Sequence, residues 1–201
     1  MTDAQLISQI IEGDGSLFNT LVWQWEKPIY NFAYRYLNDK ELARDITQKT
    51  FIRVYKNLKK LRDPNRFSSW IYQIAANLCK DELKRLSSRD FVSIDMLHEN
   101  SEENGHRIPD QLQESDMYQP DAAMNKKQIG QIIQKALQQL PEDQRIVIIM
   151  KEYQGLKFKE IAEALNQPIN TIKSRMYYGL NGLRKIFEQW HINEEVLNYE
   201  V

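Results

Sequence analysis

One cysteine, Cys79, stands among the 201 residues. That excludes an internal disulfide and every zinc pattern built on several cysteines. Cys79 itself reads as a small residue at the edge of a helical core. Glycine (7) and proline (6) are scarce, and no segment alternates Val, Ile and Thr with polar residues as a half-buried strand would. Helical spacing recurs almost everywhere instead, so the chain reads as all-α. Long apolar runs are missing as well. The stretch "IVIIM" at 146–150 is far short of the about 20 residues needed to cross a bilayer, and "MTDAQLISQIIEGDG" lacks the basic start and apolar run of a signal peptide. No membrane insertion is expected, and the cytoplasm is the expected location.

Catalytic machinery is equally sparse. There is no carboxylate cluster, nucleophile–base pair or phosphate-binding loop, and His98, His106 and His191 have no neighbours spaced for a metal. No catalytic residue, metal or cofactor is expected, which argues against a nucleic-acid enzyme.

What is present is a soluble composition, 42% hydrophobic and 27% charged, with a net charge of −1 that hides a strong segregation. Residues 1–90 carry 15 basic and 11 acidic side chains, residues 91–125 carry 1 and 8, and residues 126–201 carry 11 and 9. Two basic units therefore flank an acidic segment. That segment is rich in Ser, Asn, Asp and Glu, holds two prolines and has no sustained apolar period, the pattern of a flexible linker. The expected organisation is a helical unit at 1–90, a linker at 91–125, a second helical unit at 126–190 and a tail at 191–201. Basic modules attract phosphates, whereas an acidic tether is repelled by them.

In "NDKELARDITQKTFIRVYKNLKKL" (38–61), the spacing of Asn38 and Glu41 predicts a capping box. At about 100° per residue, Leu42, Ala43, Ile46, Thr50, Val54, Leu58 and Leu61 form the core stripe. Glu41, Asp45, Gln48, Ile52 and Lys59 fall opposite. Ile52 is the anomaly, a β-branched apolar residue facing water, and Asp45, Gln48 and Ile52 make a candidate seam for a partner helix.

"NRFSSWIYQIAANLCKDELKR" (65–85) places Phe67, Trp70, Ile71, Ile74 and Leu78 toward a core. Trp70, Gln73, Asn77, Lys80 and Lys84 share one edge. A ring that can stack on a base, amides for base edges and ammonium groups for a backbone are what single-stranded nucleic acid requires. The preceding "KKLRDPNRF" (59–67) is a basic loop with an Asp-Pro-Asn turn.

Near the C-terminus, "FKEIAEALNQPINTIKSRMYYGL" (158–180) holds two helical patterns. Phe158, Ile161, Ala162 and Leu165 mark the buried face of the first. Pro168 breaks the pattern, Asn170 or Thr171 is the expected cap, and the result is a helix-turn-helix. In the second helix Ile172, Met176, Leu180, Leu183 and Phe187 are expected inside. Thr171, Ser174, Tyr177, Tyr178 and Asn181 form the opposite ridge, flanked by Lys173 and Arg175, a shape suited to a major groove.

The combination resembles bacterial RNA polymerase sigma factors of the extracytoplasmic-function group in the sigma-70 family. "LPEDQRIVIIMKEYQGLKFKEIAEALNQPINTIKSRMYYGLNGLRK" is similar to the family's minus-thirty-five reader. "DITQKTFIRVYKNL" resembles the segment that grips the clamp helices of the polymerase β′ subunit, and "RFSSWIYQIAANLCKDELKR" the segment that opens the minus-ten element. The resemblance implies a promoter-specificity subunit whose partners are core polymerase (its β′ and β subunits), promoter DNA and an anti-sigma factor. It implies polymerase contacts at Asp45, Gln48 and Phe51, to which Ile52 belongs by position. It places Trp70 and Asn77 beside the unpaired minus-ten strand and the loop from Arg62 through Asn65 and Arg66 to Phe67 around a flipped base. Lys173, Ser174, Arg175 and Tyr177 match the minus-thirty-five contacts. Lys49, Asn170, Tyr178 and Asp63-Pro64-Asn65 depart from the family pattern. The rival reading is a helix-turn-helix regulator whose N-terminal helices sense a ligand or dimerise.

Overall fold

The computed structural model describes residues 2–97 and 126–192, with side chains over 2–88 and 128–192. These residues form α1 (Asp3–Glu12), α2 (Phe18–Leu37), α3 (Lys40–Asn57), α4 (Phe67–Leu97), α5 (Lys126–Gln139), α6 (Glu142–Ile148), α7 (Phe158–Leu165) and α8 (Ile169–Gln189). Among the described residues there is no strand.

In the first helical domain, α1 starts on a capping box: Gln5 N–H donates to Thr2 Oγ1 and Thr2 N–H to Gln5 Oε1. Leu21, Ile29, Phe32, Ala33 and Tyr36 repeat along α2 with helical spacing and are wholly buried. Pro28 sits within α2, where its ring removes one ladder hydrogen bond. Core residues Ala43, Ile46, Thr50 and Val54 of α3 face α2, as the stripe predicts. Edge-to-face contacts join Trp25 to Phe67 and Tyr72, and Phe32 to Tyr72. The expected capping box at Asn38 is replaced by a division of labour. Asn38, at φ 57°, closes α2, while the Asp39 carboxylate accepts from Leu42 N–H and starts α3. A short polar side chain tolerates the left-handed region, which frees Asp39 for the cap. Cys79 is buried in the core rather than at its edge, and α4 continues to Leu97, past the expected boundary at 90. Most of the acidic segment, 98–125, and the tail 193–201 lie outside the described residues.

In the second domain, Pro141 precedes α6, which passes into a π-helical turn at Ile149–Tyr153. Lys157 N–H donates to Glu160 Oε2 at the start of α7, and Asn166, at φ 50°, ends it. Neither Asn170 nor Thr171 caps α8. Helical geometry begins one residue earlier, at Ile169 after Pro168, so both lie inside the first turn. Leu180 is 47% exposed, contrary to the expected inward position, and the buried face is Ile172, Met176, Gly179 and Ile186. Glycine at 179 is what lets α8 approach α6, since a Cβ there would lie 2.7 Å from Ile148 Cδ1 and 3.2 Å from Gln144 Cβ.

The two domains meet at the C-terminal end of α2. Gln134 Nε2 donates to the Arg35 carbonyl (3.1 Å), Gln138 Nε2 to the same carbonyl (2.8 Å) and Arg145 Nη1 to the Tyr36 carbonyl (3.3 Å). The last carbonyls of a helix have no partner within it and carry its negative dipole end. Here amide and guanidinium donors from the second domain satisfy them. Arg35 also stacks over the Tyr153 ring at 4.0 Å, and Tyr72 Oη donates to Gln154 Oε1 at 2.7 Å.

Candidate nucleic-acid interface

Three surfaces collect the candidate residues. Between α2 and α3 lies an open groove of about 770 Å³, with Val22, Trp23, Gln48, Phe51, Ile52 and Tyr55 among its lining. Trp23 is 84% exposed, Tyr55 66% and Ile52 46%. Such large apolar side chains gathered on one groove mark an interaction surface. Phe51 is nearly buried, so it forms the floor rather than the rim. Asp45 lies on the same helix outside the lining, half-exposed and paired with Lys49.

Trp23 and Tyr55 are absent from the sequence-derived candidates. The signal for Trp23 was available: it stands two positions before Trp25, about 200° around the helix from a residue on the buried stripe.

The second surface is the turn between α3 and α4. Asp63 accepts from Asn65 N–H and Nδ2–H, and Pro64 opens a short 3₁₀ turn over 64–66. The Asp-Pro-Asn turn is thus held by its own side chains. Behind it is a cavity of about 250 Å³ lined by Leu61, Arg62, Asp63, Arg66, Ser69, Trp70, Gln73 and Glu163. Trp70 is half-buried and tilts against Phe67, with ring centroids 6.1 Å apart. Phe67 is 1% exposed, so it supports Trp70 from the core and offers no surface to a nucleic acid. Asn77 and Lys84 are exposed and Gln73 and Lys80 half-buried along α4, which extends the polar edge away from the cavity. Glu163, on α7, was not a sequence candidate. Its Oε2 accepts from Arg66 Nη2 at 3.0 Å and Nε at 3.2 Å.

The third surface is α8. Lys173, Ser174, Tyr177 and Tyr178 are exposed, and the two tyrosine rings meet edge to face at 5.6 Å. Thr171 is half-buried. Ser174 Oγ donates back to the Asn170 carbonyl, and Arg175 Nη2 donates to Asp143 Oδ2 at 2.6 Å. Lys173 is thus open to solvent while Arg175 is tethered. Among the described residues, no group of three or more His, Cys, Asp or Glu is placed to hold a metal, and no helix is long and apolar enough to cross a membrane.

Residues 21–89 match the family Sigma-70 region 2, and residues 130–181 match Sigma-70, region 4. The chain is 30% identical over 188 residues to the RNA polymerase sigma-H factor of Pseudomonas aeruginosa, covering 92% of this chain and 94% of that protein. It is 29% identical over 178 residues to the ECF RNA polymerase sigma-E factor of Escherichia coli K12, covering 88% and 90%. In fold it is similar to CnrH, solved in complex with the cytosolic domain of CnrY (TM-score 0.65, 17% identity, covering 93% of this chain and 97% of that one). It is also similar to the sigma factor RpoE, solved with the anti-sigma factor NepR from Bartonella quintana (TM-score 0.60, 20% identity, covering 85% and 96%).

Proposed function

The chain belongs to the sigma-70 family, in the extracytoplasmic-function group of RNA polymerase sigma factors that direct the enzyme to promoters, and from this we propose how its surfaces share the work. The α2/α3 groove docks core polymerase, with Trp23, Ile52 and Tyr55 as apolar anchors over Phe51, and Asp45 and Gln48 as polar neighbours. The cavity behind the 58–66 turn and the α4 edge take the unpaired minus-ten strand. Trp70 stacks on a base, Arg62, Asn65 and Arg66 surround it, and Gln73, Asn77, Lys80 and Lys84 follow the strand, with Phe67 as support. Helix α8 enters the major groove of the minus-thirty-five element, where Ser174, Tyr177 and Tyr178 reach bases and Lys173 a phosphate.

No covalent step is assigned to this protein. Strand opening is driven by binding, because holding unpaired bases in pockets offsets the few kcal/mol of unstacking per flipped base. The protein works in the cytoplasm, where its polymerase resides. The fold shared with RpoE, solved with an anti-sigma factor, supports an inhibitory protein partner here too.

The observation that carries this reading is the presence on the first domain of both an apolar groove and, beside the α3–α4 turn, Arg62, Arg66 and Trp70 gathered around one cavity. The test is to add the protein to core polymerase and genomic promoter fragments and to sequence the transcripts. Initiation at a defined set of sites is expected only with both components. A folded preparation that binds duplex promoters alone and never redirects polymerase would instead establish the helix-turn-helix regulator.

A further inference from the structure

The reading face of α8 carries aromatic rings and no free cation at its crest. Between Ile169 and Leu183 the basic side chains are Lys173 and Arg175. Arg175 is drawn toward α6 by its bond to Asp143 Oδ2, and its side chain is 24% accessible. Lys173 lies on a flank, about 100° around the helix from Ser174 and about 140° from Tyr178. That leaves Ser174, Tyr177 and Tyr178 on the ridge. Ser174 Oγ donates its single proton to the Asn170 carbonyl, so toward a ligand it can only accept. Tyr177 and Tyr178 are 65% and 60% exposed, and their edge-to-face contact, with ring centroids 5.6 Å apart, joins them into one apolar surface.

We infer that this tyrosine pair makes α8 a reader of thymine, through the 5-methyl groups of two successive thymines in the minus-thirty-five element. This rests on the assignment of α8 to the major groove. Every base pair shows a distinct pattern there, and the thymine methyl is the apolar member of that code. Guanine is read by paired donors from Arg or Lys on O6 and N7. The ridge offers no such fork, because its arginine is held by Asp143 and its lysine stands aside. Two rings with centroids 5.6 Å apart can meet methyls on neighbouring base pairs, which rise by about 3.4 Å. The accepting oxygen of Ser174 suits the exocyclic amine of an adenine or cytosine beside them. Tyr178 departs from the family pattern, so the preference is this chain's own.

The experiment assembles holoenzyme from the full chain and core polymerase and measures its affinity for promoter fragments at which it initiates. In a second set of fragments every upstream thymine is replaced by deoxyuridine, which pairs as thymine does and lacks the methyl. One buried methyl is worth about fourfold, so loss of two is expected to weaken wild type about tenfold. Tyr177→Ala with Tyr178→Ala is expected to bind the thymine fragments about tenfold more weakly and to be indifferent to deoxyuridine. Tyr177→Phe with Tyr178→Phe keeps both rings and is expected to keep the wild-type difference. The inference is overturned if wild type binds the two sets equally, or if the phenylalanine variant becomes indifferent. It is also overturned if the alanine variant loses as much on deoxyuridine as wild type does, which would assign the effect to the DNA's own stiffness. Should the alanine variant not unfold cooperatively, the wild-type and phenylalanine measurements decide alone. Fragments with a scrambled upstream element separate the two levels. If wild type binds them as tightly, α8 reads no sequence there, and both the assignment and thymine reading fall. If scrambling weakens binding and deoxyuridine does not, thymine reading alone falls.

Discussion

Arg145 Nη1 donates to the main-chain carbonyl of Tyr36 at 3.3 Å, joining residues 109 positions apart, while its guanidinium lies 5.2 Å from the centre of the Tyr36 ring. A second bond goes to Gln138 Oε1, and Nε is left without a partner. One buried cation therefore closes a helix end, covers an aromatic face and carries an unmet donor.

Arg145→Ala should lower unfolding free energy by about 2–4 kcal/mol, since it strands a buried carbonyl and leaves a void where the stem packed. Arg145→Lys should recover only part of this, because one ammonium cannot reproduce the planar fork. Urea unfolding midpoints check both, and an Arg145→Ala midpoint equal to wild type would show that the carbonyl is served by water.

Trp23 is 84% exposed, so Trp23→Ala should leave stability within about 0.5 kcal/mol of wild type. Its loss from the groove should weaken core-polymerase affinity by about 2 kcal/mol or more, as truncation of an aromatic anchor does. Asp45→Arg should abolish binding with the fold intact, because the side chain is 44% accessible. Titration of labelled protein with core polymerase reads both, and equal affinities would remove the groove as the docking surface.

Lys173→Ala should weaken binding to minus-thirty-five duplexes about equally across sequences and reduce the slope of log affinity against log salt by about 0.9. Sequence-dependent losses of about 1–3 kcal/mol would instead make Lys173 a base reader. Arg175 starts from its ion pair with Asp143, so Asp143→Ala is expected to strengthen duplex binding by releasing it.

Gly179 and Gly182 face α6 differently. A methyl at 179 meets Gln144 Cβ at 3.2 Å as well as Ile148 Cδ1, whereas at 182 the only atom closer than 3.8 Å is Leu140 Cδ2 at 2.7 Å. Alanine gains about 1 kcal/mol over glycine in a helix interior, against an overpacking cost of about 1–3 kcal/mol. Gly179→Ala should therefore be net destabilising, and Gly182→Ala close to neutral because the tip of Leu140 can rotate away. Thermal unfolding of the two variants checks the order, and the reverse order would mean that Ile148 and Gln144 yield more easily than Leu140.

Alkaline pH should destabilise the protein. Burial raises Tyr36 above its ordinary 10.0, with Glu142 adding to the effect and Arg145 opposing it; burial likewise raises Tyr72 above 10.0 and Cys79 above 9.0. For each group the unfolded chain releases its proton first. The stabilisation is complete below the ordinary values and is lost as pH climbs through the raised ones. Urea midpoints should be level up to about pH 8 and fall above about pH 9. A midpoint flat to about pH 11 would show that these hydroxyl and thiol groups are not protected from water.

Local features were legible where they depend on one helix. The α3 stripe, the exposure of Ile52, the Asp-Pro-Asn turn and the helix-turn-helix all follow from a period of about 100° per residue and from short-range capping chemistry. Leu180 shows the limit. Its angle on α8 lies near the apolar face, yet Leu180 is exposed and the close approach to α6 falls on Gly179 instead. The capping at 38–39 was misplaced by one residue because both Asn and Asp are competent, and the left-handed turn between two helices decides which of them caps.

The sequence by itself determined the class: helical domains, an aromatic and basic edge on α4, a helix-turn-helix toward the C-terminus, and residues that match two sigma-70 regions in order. Tertiary structure alone decided that Trp23 joins Ile52 and Tyr55 in one groove, that Phe67 withdraws into the core, and that Glu163 meets Arg66 across 97 positions. The physical reason is range. Periodicity and caps act within a few residues, whereas a surface shared by two helices depends on how buried faces and helix ends find partners far along the chain.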